Sequence, residues 1–273
     1  MPVSAEAGGS GGAFRGTPNA LENVLASTAI LALETRYDGI ADAIWIPNEG
    51  FGFGASAVDS RTGPVTLGLR YRWSRRADLA LGPGEGPGWQ VPGADEENQA
   101  DTHALAAGLA LADPNRRFAV GISGLRWFRF AALGNDGEGW RLGGSLAGRP
   151  HDTVTLSAAA SLPLATSGAL GGEDLPWVEG GVRWQPLDAL AFLADALLPL
   201  PARAPEIAVG SEWIAGDLVP LRAGWSRSAG WESDHATAGI GLLYDPLELA
   251  YAVRVDVRDP GGPLHLVSIR LRL

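Results

Sequence analysis

The 273-residue sequence predicts an all-β fold: a 14-stranded, antiparallel, up-and-down transmembrane β-barrel preceded by a short N-terminal helical or plug segment. Apolar and polar residues alternate in segment after segment, the period of a strand with one face in an apolar medium. Many segments are about 10 residues long, which suits a tilted strand crossing a bilayer better than an average soluble strand of roughly 5–6 residues. Short turns also alternate with longer loops, as in bacterial outer-membrane barrels.

Residues 1–27 form the first predicted region, and residues 28–273 form the predicted barrel. Residues 1–12 are rich in Gly and Ala, and Thr17-Pro18-Asn19 is suited to cap a short helix that ends near Ala26. Such a segment either plugs the lumen or forms a periplasmic tail or an extra turn, and the sequence leaves these alternatives open. The opening MPVSAEAGGSGG lacks the regions of a signal peptide, so we expect that the signal was removed or precedes this start.

Fourteen segments fit the strand pattern. In the last one, Val267, Ile269 and Leu271 face one way, and Ser268 and Arg270 face the other. The predicted strands are 28–37, 51–58, 65–74, 102–111, 118–130, 140–147, 154–162, 177–184, 190–198, 206–213, 221–226, 236–244 and the two arms of a hairpin over 247–273. In the fifth strand the apolar phase shifts from Ile122 to Leu125 and Trp127, which predicts a β-bulge at Gly124.

The connections predict which end of the barrel is which. Those at 59–64, 112–117, 148–153, 185–189, 215–217 and 244–246 are short, whereas the longest intervening loop covers 75–101. In outer-membrane barrels the short turns are periplasmic and the longer loops extracellular. An even number of strands returns both ends of the barrel to the periplasmic side.

Aromatic residues are expected at the two membrane interfaces, where they form girdles. The predicted girdle residues near long-loop ends are Tyr37, Trp73, Trp127, Trp140 and Trp225, and those near short-turn ends are Trp184, Trp213 and Tyr244. Alternation alone does not say which face of a barrel is apolar. A soluble β-rich binding protein, such as a sandwich or propeller, therefore remains an alternative.

Charged residues opposite the apolar face are predicted to line the lumen. They are Glu34, Arg36, Arg70, Arg72, Arg126, Arg141, Glu179, Arg183, Asp195, Glu212, Arg222, Arg254 and Asp256. They form a polar conduit, a site for an amphipathic ligand, or a salt-bridged filling that closes a narrow barrel. Fourteen strands enclose more space than the eight whose side chains alone fill a barrel, so water or the N-terminal segment should occupy the centre.

Other function classes find little support. The net charge of −10 argues against nucleic-acid binding, and the absence of Cys excludes thiolate sites. The four His are scattered, no nucleophile motif occurs, and we predict no catalytic residue, cofactor or metal. The acidic residues Asp95, Glu96, Glu97 and Asp101 form either a Ca²⁺ site or a solvated loop.

The chain resembles the FadL/PorV-like superfamily of 14-stranded outer-membrane proteins. The resemblance lies in GGAFRGT (11–17), in SAVDSRTGPVTLGLRYRW (56–73) and in the number of strands. It implies an outer-membrane protein in contact with the lipid bilayer that takes up hydrophobic or amphipathic small molecules passively. The PorV-like branch instead implies a closed, structural or secretion-associated barrel that binds an envelope protein partner.

Overall fold

The structure is a computed structural model that describes residues 4–10, 12–18, 20–46, 50–75, 100–131, 136–168, 175–200, 205–228, 233–258 and 263–273. In these ranges fourteen antiparallel strands pair with their neighbours in sequence, and β1 pairs with β14 to close a barrel. They are β1 (Tyr37–Ile46), β2 (Gly50–Asp59), β3 (Val65–Ser74), β4 (Ala100–Ala112), β5 (Phe118–Ala131), β6 (Gly137–His151), β7 (Val154–Gly168), β8 (Trp177–Leu187), β9 (Leu190–Pro199), β10 (Glu206–Ala215), β11 (Val219–Ser228), β12 (Ser233–Tyr244), β13 (Leu247–Asp256) and β14 (Leu264–Arg272). The predicted fold class is confirmed.

The predicted first strand over 28–37 is wrong. Thr28–Leu31 forms a short helix, α2, and the barrel wall begins at Tyr37 instead of residue 28. Ala29, Ile30 and Leu31 are each 0% exposed, so they are covered on every side, which no strand of a barrel wall allows. Two further short helices precede α2: α1 (Ala5–Gly9) and a 3-10 helix over Leu21–Val24.

The predicted bulge at Gly124 is also wrong. Strand β5 pairs with β4 and β6 without a register shift, so its side chains alternate from end to end. Leu125 and Trp127 therefore face inward, where each is only 2% exposed. The apolar phase changes along β5 because the interior at this height is itself apolar.

The two ends of the barrel differ as predicted. Short connections join β2 to β3, β4 to β5, β6 to β7, β8 to β9, β10 to β11 and β12 to β13. We call this the short-turn end, and the other the long-loop end. The amide of Leu273 donates to the carbonyl of Tyr37 at 2.8 Å, so both ends of the barrel wall meet at the short-turn end.

The outer face is apolar. Along β5, Phe118, Val120 and Ile122 are 52%, 42% and 59% exposed, and then Arg126 begins the charged rim of the long-loop end. Eight residues of a strand tilted by about 40° rise roughly 20 Å, close to the apolar band of about 25 Å on known membrane barrels. Among the described helices, none is long and apolar enough to cross a membrane.

Candidate functional site in the barrel interior

The N-terminal residues lie inside the ring of strands. We call residues 4–10, 12–18 and 20–33 the inner segment. Helix α1 packs against β11 to β14, whereas α2 packs against β3 to β6 on the opposite wall. Between them, Phe14 and Arg15 bond to Asp195 of β9. The segment therefore crosses the lumen and touches the wall on several sides.

Two wall glycines allow the inner segment to approach the strands backbone to backbone. A Cβ on Gly181 would lie 2.4 Å from the amide nitrogen of Gly16. A Cβ on Gly210 would lie 2.4 Å from the carbonyl oxygen of Ser10. No side chain fits at such distances, so these positions require glycine where the segment rests on β8 and β10.

The half of the inner segment against β3 to β6 forms an apolar core. Its buried aliphatic residues are Leu21, Val24, Leu25, Ile30, Leu31 and Leu33, which pack with Leu125 and Trp127 of β5. Burying one such side chain contributes about 1.5–3 kcal/mol, so the six together contribute roughly 9–18 kcal/mol as an upper bound. The amide of Ala29 also donates to Ser145 Oγ at 3.0 Å.

The other half is held mainly by polar contacts. Asp195 Oδ2 accepts hydrogen bonds from the amides of Phe14 (2.7 Å) and Arg15 (2.8 Å), and the Arg15 guanidinium lies 3.6 Å from it. Arg15 Nε donates to Glu179 Oε2, and Ser157 Oγ donates to the carbonyl of Arg15 at 2.7 Å. We call these five residues the Arg15 anchor. Arg15, Glu179 and Asp195 are all buried, so each charge depends on its partners.

Further buried ion pairs fill the lumen beside α1. Arg270 lies 3.0 Å from Glu6 of α1 and 2.7 Å from Asp38 of β1. Arg222 lies 2.7 Å from Glu212 and 3.1 Å from Glu248. This side of the interior therefore consists largely of paired charges.

A narrow cleft separates the inner segment from β8 to β10. Its lining residues are Glu6, Ala7, Ser10, Ala13, Phe14, Thr17, Ala20, Arg183, Leu193 and Glu212. Within the described residues, the buried Thr17 hydroxyl has no hydrogen-bond partner. The cleft has room for about one water molecule, so a larger solute needs the segment or the wall to move.

Most of the charged residues predicted for the lumen lie inside the barrel. The buried ones are Arg36, Arg70, Arg72, Arg141, Glu179, Asp195 and Arg222, and the half-buried ones are Glu34, Arg183, Glu212, Arg254 and Asp256. The prediction for Arg126 is wrong. Because β5 has no bulge, Arg126 points outward, 4.3 Å from the Phe128 ring and 4.6 Å from the Trp140 ring, and it pairs with Glu138 at 3.2 Å.

The predicted interface aromatics are mostly on the outer face. Trp73, Trp140 and Trp225 lie toward the long-loop end, and Trp184, Trp213 and Tyr244 toward the short-turn end. Two assignments are corrected. Trp127 is buried in the apolar core, because β5 has no bulge and its odd-numbered residues face inward along its whole length. Tyr37 is outward but begins β1 at the short-turn end, because the strand predicted to end there does not exist.

Sequence reasoning gave Arg15, Asp38 and Asp42 no role. Arg15 is the one basic residue in residues 1–27, which was a usable signal for an internal ion pair. Asp38 and Asp42 face inward from β1, where no strand was predicted. Of the acidic loop residues, Asp95, Glu96 and Glu97 lie outside the described ranges, whereas Asp101 lies 3.5 Å from Arg75.

Solved structures with this fold include transporters and channels. The toluene transporter TbuX of Ralstonia pickettii superposes with a TM-score of 0.68 at 13% identity, covering 100% of this chain and 98% of its own. The toluene transporter TodX of Pseudomonas putida gives 0.67 at 13% identity, covering 98% and 96%. The monoaromatic hydrocarbon channel CymD gives 0.63 at 12% identity, covering 99% and 96%. No protein-family model and no curated protein matches the sequence.

Proposed function

We propose that the chain is an outer-membrane transport barrel through which hydrophobic or amphipathic small molecules pass passively, with the inner segment as its plug. One observation carries the proposal: a closed 14-stranded barrel holds its own N-terminal segment in the lumen, beside a narrow cleft. The fold shared with the toluene transporters over nearly the whole chain supports the same class of activity. Small aromatic hydrocarbons are therefore the first solutes to test.

The chemistry of the cleft supports a solute of mixed character. Ala7, Phe14 and Leu193 present apolar surface, whereas Thr17 and Arg183 present hydrogen-bond donors. A passage lined in this way tolerates an apolar body and also a polar substituent. The apolar outer face supports the bilayer as the surroundings of the barrel.

The experiment is uptake of labelled toluene into liposomes that contain the refolded protein. We expect uptake faster than in empty liposomes and in liposomes that contain the boiled protein. Labelled glucose serves as the control solute, and we expect little uptake of it while the plug is in place. Toluene uptake equal to that of empty liposomes would contradict the proposal.

A second candidate function is a closed barrel that acts as a structural or secretion-associated component of an envelope complex. The observation that favours it is the dense interior, in which the cleft has room for about one water molecule. This candidate predicts no uptake of any solute and a stable complex with another envelope protein. Co-purification from mildly solubilised membranes, followed by identification of a stoichiometric partner, tests it.

A further inference from the structure

We propose that the outer face of the barrel binds a phosphorylated glycolipid at the long-loop end, on the part of the wall that runs from β13 through β14 and β1 to β6. We call this part the aromatic sector. The site lies on the outside of the barrel, so it goes beyond the proposed function and holds whether or not solutes pass through the lumen. Three features carry it: a one-sided belt of rings, two imidazoles and one guanidinium.

Rings on neighbouring strands contact one another along the aromatic sector. His265 of β14 stacks on Trp45 of β1, with the ring centroids 4.9 Å apart. Trp45 lies opposite Phe51 of β2, and Phe51 meets Trp73 of β3 edge to face at 5.1 Å. Amphipathic aromatic side chains gather at the level of the lipid headgroups. The belt therefore marks that level on the wall.

Within the described residues, the wall from β7 to β10 has no such belt. At the long-loop end of β7, β8 and β10, the outward side chains of Leu164, Val178 and Ile207 are aliphatic and are 63%, 37% and 44% exposed. A girdle that only places a barrel at the interface encircles it. A belt on one side is instead suited to bind particular headgroups there.

Two imidazoles in the sector are held in the same way. The Tyr71 hydroxyl bonds to His103 Nδ1 at 2.8 Å between β3 and β4, and the Tyr251 hydroxyl bonds to His265 Nδ1 at 2.8 Å between β13 and β14. Each bond occupies Nδ1, so Nε2 is the ring nitrogen that remains for a ligand. A hydroxyl that donates to Nδ1 leaves the proton of the neutral ring on Nε2, which then donates to an oxygen of the ligand.

Arg126 supplies a positive charge at the same level. Its guanidinium lies 4.3 Å from the Phe128 ring and 4.6 Å from the Trp140 ring, which fix it on the outer face. Glu138 contacts Nη2 at 3.2 Å, and Nε has no hydrogen-bond partner among the described residues. A guanidinium has five N–H donors and binds phosphate with two at once. Because Phe128 lies directly opposite His103, Arg126 and His103 are close enough to hold one headgroup.

The surface below these residues fits the acyl chains of the same lipid. Leu69 precedes Tyr71 by two positions on β3, and Leu105 follows His103 by two on β4, so both lie toward the middle of the wall. They face outward and are 47% and 55% exposed. A lipid whose chains pack on these leucines places its headgroup at His103 and Arg126. The longer loops of outer-membrane barrels are extracellular, and the leaflet on that side consists of glycolipids that carry phosphate on their sugars.

Native mass spectrometry of the refolded protein in a nonionic detergent tests the site, with diphosphorylated lipid A as the probe and its dissociation constant as the readout. Arg126→Gln removes the cation. The matched control is Arg227→Gln, which removes an outward Arg of β11 that is 49% exposed at the same end but outside the sector. His103→Phe keeps a ring against Phe130 and removes the ring nitrogens. Gel mobility before and after boiling verifies that each variant folds.

We expect Arg126→Gln to weaken lipid A binding about fivefold, the contribution of one Arg near an anionic membrane surface, and Arg227→Gln to change it by less than about twofold. His103→Phe should weaken it as well. Phosphate-free lipid A should bind about fivefold more weakly than the phosphorylated form, and excess inorganic phosphate should leave the lipid bound.

Equal effects of Arg126→Gln and Arg227→Gln, or equal affinity for the two forms of lipid A, would overturn the inference. Displacement of lipid A by inorganic phosphate would assign the site to a free anion and would overturn the lipid as its ligand. These outcomes are independent of toluene uptake, so a failure here leaves the transport function intact, and a barrel that takes up no toluene leaves the lipid site intact.

Discussion

Replacing Arg15 by Gln removes the central charge of the Arg15 anchor. Glu179 and Asp195 are buried beside it, so the substitution removes a buried cation that both carboxylates contact. Removing one partner of a buried ion pair costs about 3–5 kcal/mol, because an unpaired buried charge remains. Asp195 keeps the two amide donors of Phe14 and Arg15, which places the expected loss near the lower end, about 3 kcal/mol.

The assay is urea unfolding of the barrel reconstituted in lipid, followed by the fluorescence of its tryptophans, with the free energy of unfolding extrapolated to zero urea. The matched control is Arg117→Gln, because Arg117 is 51% exposed at a short turn and pairs with Asp152 at 2.8 Å. Exposed pairs contribute about 0–1 kcal/mol, so the control should lose less than about 1 kcal/mol. An Arg15→Gln loss no larger than that of Arg117→Gln would refute the view that Arg15 and its two carboxylates hold the segment.

Three further predictions concern the segment and the wall. A chain that lacks residues 4–17 should still fold and give a compact gel band that shifts on boiling. A chain that lacks residues 4–33 should lose that band, because only the longer deletion removes the inner segment's part of the apolar core. Equal gel behaviour of the two shortened chains would contradict this. Leu31→Ala should lower the free energy of unfolding by about 2–5 kcal/mol because it leaves a cavity in the core, while the outward-facing Leu69→Ala should cost clearly less in the same urea titration. Ile122→Arg, on the apolar outer face, should cost roughly 2–4 kcal/mol in lipid, and a cost near zero would argue that this face meets water.

Strands β2 to β14 were predictable because each carries large apolar residues on its outward face, which makes the period of two visible. Strand β1 was not, because Gly39, Ala41 and Ala43 on its outer face are small, so the alternation carries little signal. The predicted strand over 28–37 drew instead on the apolar residues of α2. An apolar run reads alike whether a lipid face or a packed lumen buries it, and only the assembled barrel distinguishes the two.

The residues of the candidate site also divide into those that the sequence pattern predicts and those that it does not. Alternation correctly predicted the inward-facing charged residues of each strand whose apolar face was assigned correctly. The predictions for Arg126 and Trp127 are both wrong because β5 has no bulge at Gly124, so these two residues lie on the opposite faces from those predicted. The Arg15 anchor was beyond sequence reasoning, because Arg15 and Glu179 are 164 positions apart and meet only after the barrel closes around the segment. The wall glycines Gly181 and Gly210 likewise gain their meaning from the backbone that lies against them.

Whether the inner segment controls passage is decided by comparing toluene uptake by the full chain and by the chain that lacks residues 4–17 in the same liposomes. We expect measurable uptake by the full chain and severalfold faster uptake by the shortened chain, with both chains folded by the gel-shift criterion. Equal uptake by the two folded chains would show that this segment does not control passage. The absence of uptake by both would contradict a transport barrel and favour the closed structural barrel instead.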